Sequence, residues 1–434
     1  MARLITYLLA ILAIIVYRSG SIARKFIFQK PDLPLAYYSR GNFNNQCKVF
    51  KEDSPIGALK SCEDAVFWDH RDGEGKLQDR AVLITCDPGR HEWNTVMGPL
   101  KNPVPAGTLW VYSGKQDAKP QVVTFAGYPS DHDFHPLGLE IYPSYAGNFS
   151  NLFIINHGRG RSTIEQFIMS PSDLTTAQWV RTLSSPYFVA PNSLALTSPT
   201  SFYVSNDHLM TRRLPSILGA TLPLVESVLG LPLGWVSHIS FTEPDPNSDS
   251  TASPIPLHHT FSSLGIPFAN GVAVSHGGTH VAVASTTLAL VDFYNRDPAT
   301  NKITYTNSVP VPFLPDNIMF DDFNSLIVAG HPNFPALTAV ARNDTDAKAP
   351  SWVVSLNPRR QIGEKASKIP MEYDTKAPVS SMTKATAVAS HVVETLFQSN
   401  GTGFQTSSSG LRDERTGVLY VVGLYEEGLL VCQP

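Results

Sequence analysis

The feature that most restricts the fold is a weak internal repeat: a polar residue heads a short alternating strand, then comes a turn and a second strand. It is clearest at Asn192-Ser-Leu-Ala-Leu before Phe202-Tyr-Val-Ser-Asn, at Asn270-Gly-Val-Ala-Val before His280-Val-Ala-Val-Ala, and at Asn317-Ile-Met-Phe before Leu326-Ile-Val-Ala. Divergent copies begin at Glu63, Leu137 and Ser409, so the copies start 47 to 92 residues apart. Between them run β-branched and aromatic segments such as 81–85, 108–112 and 152–156, bounded by Pro, Gly, Asn and Asp and without helical alternation. The pattern predicts an all-β fold, a six-bladed β-propeller occupying residues 40–434 as one domain. It also answers a problem of size, because a simple core stops growing near roughly 250–300 residues and this chain has 434.

In a propeller the innermost strands run along the axis, so the residues that head them converge at one end of the tunnel. Glu63, Asn192, Asn270, Asp316 and Asn317 would meet there as an all-oxygen cage of two carboxylates and three amides. Such a cage suits a hard cation, calcium best, with its about 6 to 8 oxygen ligands. The plainer reading of any one of these residues is a turn former, since Asn and Asp often begin turns. One segment breaks the β pattern. From about 209 to 235 a Leu-rich stretch carries Leu214, Ile217, Leu218, Leu222, Val225 and Leu229 at helical spacing, which predicts a helical insertion on one rim. It is either a lid or lipid contact or a helix packed on the blades. Residues 244–256 and 360–400 read as loop-rich.

Residues 5–17 form an apolar run with Arg3 before it and Arg18 after it. That is the build of a signal sequence, shorter than the ~20 residues of a spanning helix, so residues 1–23 read as a signal sequence or a retained anchor; a buried N-terminal helix is the plainer alternative. Sequons at Asn148, Asn343 and Asn400 agree with secretory entry, secreted or membrane-associated. The four cysteines, Cys47, Cys62, Cys86 and Cys432, are an even number in such a compartment and leave three pairings open. A Cys47 to Cys432 bond would close the chain into a ring and contribute roughly 5 kcal/mol in the chain-entropy model. Cys62 and Cys86 would then pair locally or stay as thiols.

A net charge of −4 gives no basic excess for nucleic acid. Neither a Gly-x-Ser-x-Gly elbow nor His-Glu-x-x-His occurs, which argues against a serine hydrolase and a zincin. With these residues in place, the chain resembles the serum paraoxonase/arylesterase family of calcium-dependent esterases and lactonases. The resemblance rests on Glu63-Asp64, Phe134-x-Pro136-x-Gly138, Asn156-His157, Phe202-Tyr-x-x-Asn206-Asp207-His208, Phe268-Ala-Asn270-Gly, Asp316-Asn317-Ile, His331-Pro-Asn333, and the outer pair Cys47 and Cys432.

The resemblance implies a catalytic calcium on Glu63, Asn192, Asn270, Asp316 and Asn317, a Cys47–Cys432 disulfide, and small ester or lactone substrates. It implies a second, structural calcium on Asp64, the Leu139 carbonyl and an Asp where this chain has Ser193, so one charged ligand of that ion is missing. The family's free cysteine falls at Gly330. Its first histidine falls at Leu137, which leaves His157 as the second; His135, two residues from Leu137, shares its side of the strand by alternation. Glu63 or Asp316 would then serve as base beside the ion, in a carboxylic ester hydrolase with altered preference. A sugar-lactone hydrolase, a metal-free strictosidine-synthase-like protein and a non-catalytic calcium-stabilised module at a membrane are the competing readings. The cage speaks against the metal-free one.

Overall fold

A computed structural model describes residues 2–23, 29–101, 106–115, 117–243, 255–359, 374, 376–381 and 390–434. Its strands form mostly antiparallel sheets arranged in a ring. Four stand as separate sheets. Two are built consecutively, from Pro191–Ser198, Ser201–Asn206, Gly234–Ser240 and His258–Ile266, and from Ala269–Val274, His280–Ser285, Leu290–Arg296 and Ile303–Pro310. The third joins Leu314–Phe320, Leu326–His331, Ser351–Pro358 and His391–Ser399 to the N-terminal Tyr37–Tyr38. The fourth joins Ser407–Arg412, Leu419–Gly423 and Leu429–Cys432 to Cys47–Phe50. Nine of the remaining strands form one sheet, in which Gln121–Ala126 pairs in parallel with Asp173–Leu183, and Asp53–Ser54 pairs with Gly57–Ala58 as a two-stranded sheet.

The first strands contact one another in chain order, Cys62–Arg71, Pro136–Ile141, Pro191–Ser198, Ala269–Val274, Leu314–Phe320 and Ser407–Arg412, and the last contacts the first. The result is a propeller-like ring. Apolar layers between neighbouring sheets hold it together, with Trp68, Trp110 and Trp352 fully buried and Trp352 against Phe313 at 5.8 Å; each such side chain contributes roughly 1.5–3 kcal/mol on burial.

Both cysteine pairs are disulfides, Cys47–Cys432 and Cys62–Cys86, and each joins directly opposed residues of antiparallel strands. The rim insertion is the helix Ser216–Leu229, ended by Gly230 in the left-handed conformation (φ 58°). The N-terminal helix Ala2–Ala23 packs on it, and Ile22 is buried with Ala289 and Leu314. No helix among the described residues is long and apolar enough to cross a membrane. Most of residues 244–256 lie outside the described residues. The reading of 360–400 as loop-rich needs correcting, because His391–Ser399 is a strand. A register shift opposite Val353 and Val354 moves its alternation out of phase, so Val393 lies on one face and Leu396 and Phe397 both pack inward.

Candidate functional site

The register of each first strand breaks at its head. The shifts bracket Glu63 between Cys62 and Asp64, Asn192 and Ser193 between Pro191 and Leu194, Asn270 between Ala269 and Val272, and Asp316 and Asn317 between Pro315 and Ile318. A bulge releases its residues from the ladder and re-aims their side chains, here to the axis. Glu63, Asn192, Asn270 and Asp316 line one cavity of about 700 Å3, and Asn317 reaches Glu63 through Nδ2 to Oε1 at 3.1 Å.

Four oxygens of this group are buried without a donor: Glu63 Oε2, Asn192 Oδ1, Asn270 Oδ1 and Asn317 Oδ1. The amide nitrogens are all engaged, and so fix which end of each amide stays unpartnered. Asn192 Nδ2 donates to Asp207 Oδ2 at 3.2 Å, Asn270 Nδ2 to Thr286 Oγ1 at 3.0 Å and to Asp316 Oδ1 at 2.8 Å, and Asn317 Nδ2 to the Glu63 carbonyl at 3.1 Å. Burial, then Asp64 and Asp316, hold the Glu63 carboxyl well above the usual carboxylate range. Among the described residues no three His, Cys, Asp or Glu side chains group as a metal site. The cage is therefore two carboxylates and three amides or nothing.

The residues matching a second ion are arranged differently. Asp64 Oδ1 accepts from the Ala65 N–H at 2.8 Å and the Ser409 hydroxyl at 2.7 Å, and Oδ2 from the Leu139 N–H at 3.2 Å. Ser193 Oγ accepts from the Val272 N–H at 3.2 Å. Burial pushes Asp64 up to about 6 against those bonds. These oxygens already have donors, and the bonds stitch neighbouring first strands together.

The arylesterase family profile matches residues 102–407. The chain belongs to the arylesterase family. It is 25% identical to serum paraoxonase/arylesterase 1 of Homo sapiens and 26% to that of Mus musculus, each over 201 residues, 46% of this chain and 50% of the relative. The matches thus span about half the length of these curated relatives. Among solved structures it is similar to the holo form of the pyranose dehydrogenase PQQ domain from Coprinopsis cinerea (12% identity, 93% of this chain and 99% of that one, TM-score 0.46). It is likewise similar to XC5397 from Xanthomonas campestris, a gluconolactonase (12%, 93% and 99%, TM-score 0.38).

In this family member, Leu137 lines the cavity where the resemblance expects a histidine. His135 does not replace it. Its Nδ1 pairs with Asp87 at 3.0 Å and its ring lies against Trp93, away from the cavity lining. His157 also lies outside the lining, 1% exposed, with Nε2 donating to the Pro191 carbonyl at 2.6 Å and Nδ1 bonded to the Thr95 hydroxyl. Burial, then Arg213, lowers it to about 4, so it is neutral.

Sequence reasoning passed over two other groups of the cavity. His331 lines it with Nε2 on Asp316 Oδ2 at 2.9 Å and Nδ1 buried without a partner. Arg90, 3% exposed, donates to the Ser61 and Pro136 carbonyls at 3.4 and 3.1 Å. The motif His331-Pro-Asn333 was a signal for the first; nothing in the sequence marked the second.

Proposed function

We propose that this chain is a six-bladed propeller that hydrolyses carboxylic esters or lactones with one calcium ion held by Glu63, Asn192, Asn270, Asp316 and Asn317. Six blades follow if the nine-stranded sheet is counted as two, joined edge to edge at the parallel pair. The observation that carries the reading is the set of four buried, donorless oxygens at the heads of the first strands. Each costs about 1–3 kcal/mol when left unsatisfied, a heavy load on a fold of marginal stability, and a hard oxygen-seeking cation removes it. The already bonded Asp64 and Ser193 support a single ion.

When bound, calcium polarises a carbonyl and stabilises the charge that develops on its oxygen. The protein's own part is to hold and protonate. Leu137, Phe268 and Leu314 in the lining take the apolar body of the substrate and exclude water. His331 is our candidate base in place of His157, with its free Nδ1 to accept a proton and Asp316 to orient the ring. The test assays phenyl acetate and a panel of γ- and δ-lactones before and after calcium chelation, with calorimetry of calcium binding to wild type and Asn270→Ala. Turnover should vanish on chelation and return with calcium, and the variant should bind calcium at least about tenfold more weakly. No turnover of any substrate with calcium bound sinks the hydrolase reading.

A second reading has its own support. Leu137 and the fully bonded His157 favour a non-catalytic, calcium-stabilised propeller at a lipid surface. Ile5, Tyr7, Ile14 and Tyr17 of the first helix and Ile217, Leu218 and Leu224 of the rim helix expose apolar surface. Secretory entry and glycosylation at Asn148, Asn343 and Asn400 belong to both readings. Flotation of the full chain with phospholipid vesicles tests the surface, independently of turnover.

A further inference from the structure

The cavity that holds the cage has cationic walls. Arg90 sits deep, beside Glu63 and Leu137. Arg212, half-buried, comes from the turn before the rim helix, and Arg342, exposed, caps the helix Phe334–Ala341. Arg212 is held in place by its own contacts. Nε donates to the Val96 carbonyl and Nη1 to the Ala220 carbonyl, both at 3.2 Å, and the guanidinium lies against Gly98, where even a Cβ would stand 3.6 Å from it.

None of the three arginines forms an ion pair among the described residues. Their neighbour Arg213 is occupied differently, with its guanidinium over Trp93 and on the Gly158 and Arg159 carbonyls. The carboxylates of the lining are Glu92, exposed at the lip, and Glu63 and Asp316, which belong to the cage. Arg212 and Arg342 line the same cavity, and burial, then the like charge of Arg342, push the Arg212 guanidinium below its usual range. An arginine such as Arg212, half-buried in a wall, without an ion-pair partner and beside a like charge, costs free energy unless an anion joins it. The chain as a whole is acidic, with a net charge of −4, so this concentration is local.

We propose that the substrate of this site is an ester or lactone that carries a carboxylate, which Arg212 and Arg342 bind at the mouth while the scissile carbonyl lies at the cage. The planar guanidinium fork suits a carboxylate, and the depth order of the residues, exposed Arg342, half-buried Arg212, buried cage, orients such a molecule with its anionic end outward. Arg90 carries the positive potential down the wall. The inference takes its scissile bond from the hydrolase reading, and its binding step stands apart from it.

The test compares 4-acetoxybenzoate with its neutral isostere 4-acetoxybenzamide on the calcium-loaded full chain. Wild type should show kcat/KM about tenfold or more higher for the carboxylate at low ionic strength, a preference that shrinks in 0.5 M KCl as charges at the mouth are screened. Arg212→Gln with Arg342→Gln should bring the ratio to within about twofold of unity. Because Arg212 also ties the loop to the rim, Arg342→Glu alone, at an exposed position, is the second variant and should move the ratio the same way.

A wild-type ratio of one or below, or a ratio indifferent to both variants, overturns the proposal. If neither ester is hydrolysed, the hydrolase reading fails by itself, and titration calorimetry with 4-hydroxybenzoate and 4-hydroxybenzamide decides the anion site. Tighter binding of the carboxylate that Arg342→Glu abolishes upholds it; equal binding overturns it.

Discussion

His157 and His331 are separated by what their second ring nitrogen touches. In His157 both nitrogens have partners and the Trp93 indole donates to its carbonyl at 2.8 Å, so a proton has nowhere to go. In His331, which lines the cavity, the nitrogen left over is buried without a partner. The first makes a prediction about stability, and the pair makes one about turnover. An unfolded chain protonates His157 near pH 6.5 and the fold resists until about 4, so its contribution is complete above pH 6.5 and is lost as pH falls through that window, up to roughly 3 kcal/mol. Urea unfolding between pH 7 and pH 4.5 should therefore show wild type losing more stability than His157→Gln. Turnover should divide the other way, with kcat lowered about a hundredfold or more in His331→Gln and largely kept in His157→Gln. A His157→Gln enzyme that folds, binds calcium and is inactive would return the base to His157.

At the scale of the strand, the site depends on how closely neighbouring first strands pass. A Cβ on Gly271 would stand 2.7 Å from the Asp316 carbonyl oxygen, 2.8 Å from the Ile318 nitrogen and 2.9 Å from the Asn317 Cα. All are backbone atoms of the segment that carries two cage residues, so nothing flexible can give way. Gly271→Ala should cost about 1–3 kcal/mol in urea unfolding and should weaken calcium binding as well, measured by calorimetry; a variant that keeps both would show that the strands can separate without disturbing the cage. The same closeness explains Gly330, where the resemblance expects a cysteine, because a Cβ there would lie 2.2 Å from the Leu314 carbonyl oxygen. Strand heads were legible in sequence because polar residues recur before alternating apolar runs. The bulges that turn Glu63, Asn192 and Asn270 inward were not, since a register shift depends on the partner strand. Arg90 and Arg212 were hidden for a related reason: they come from loops of different sheets, and only the closed ring brings them to one cavity. His391–Ser399 was misread because its bulge broke the period on which the reading relied.

For the molecule as a whole, the cage exists only if the ring is closed, since its residues come from strands scattered between Glu63 and Asn317. Closure is made by the N-terminal strand Cys47–Phe50, which pairs with Leu429–Cys432 and is bonded across at Cys47–Cys432. The two disulfides act at different scales. Cys47–Cys432 spans 385 residues and Cys62–Cys86 spans 24, so on chain entropy alone the first stabilises by about 2 kcal/mol more. The second holds the strand pair on which Glu63 is bulged, next to the cage. Replacing both cysteines of the ring-closing pair by serine should lower the urea midpoint the more, while calcium affinity at full folding changes little. Replacing Cys62 and Cys86 should reverse the order, with a smaller loss of stability and a larger loss of calcium affinity as Glu63 is freed. Equal effects of the two double variants on both quantities would mean that closure and cage are one cooperative unit, and that the ring is not held at its seam but at its axis.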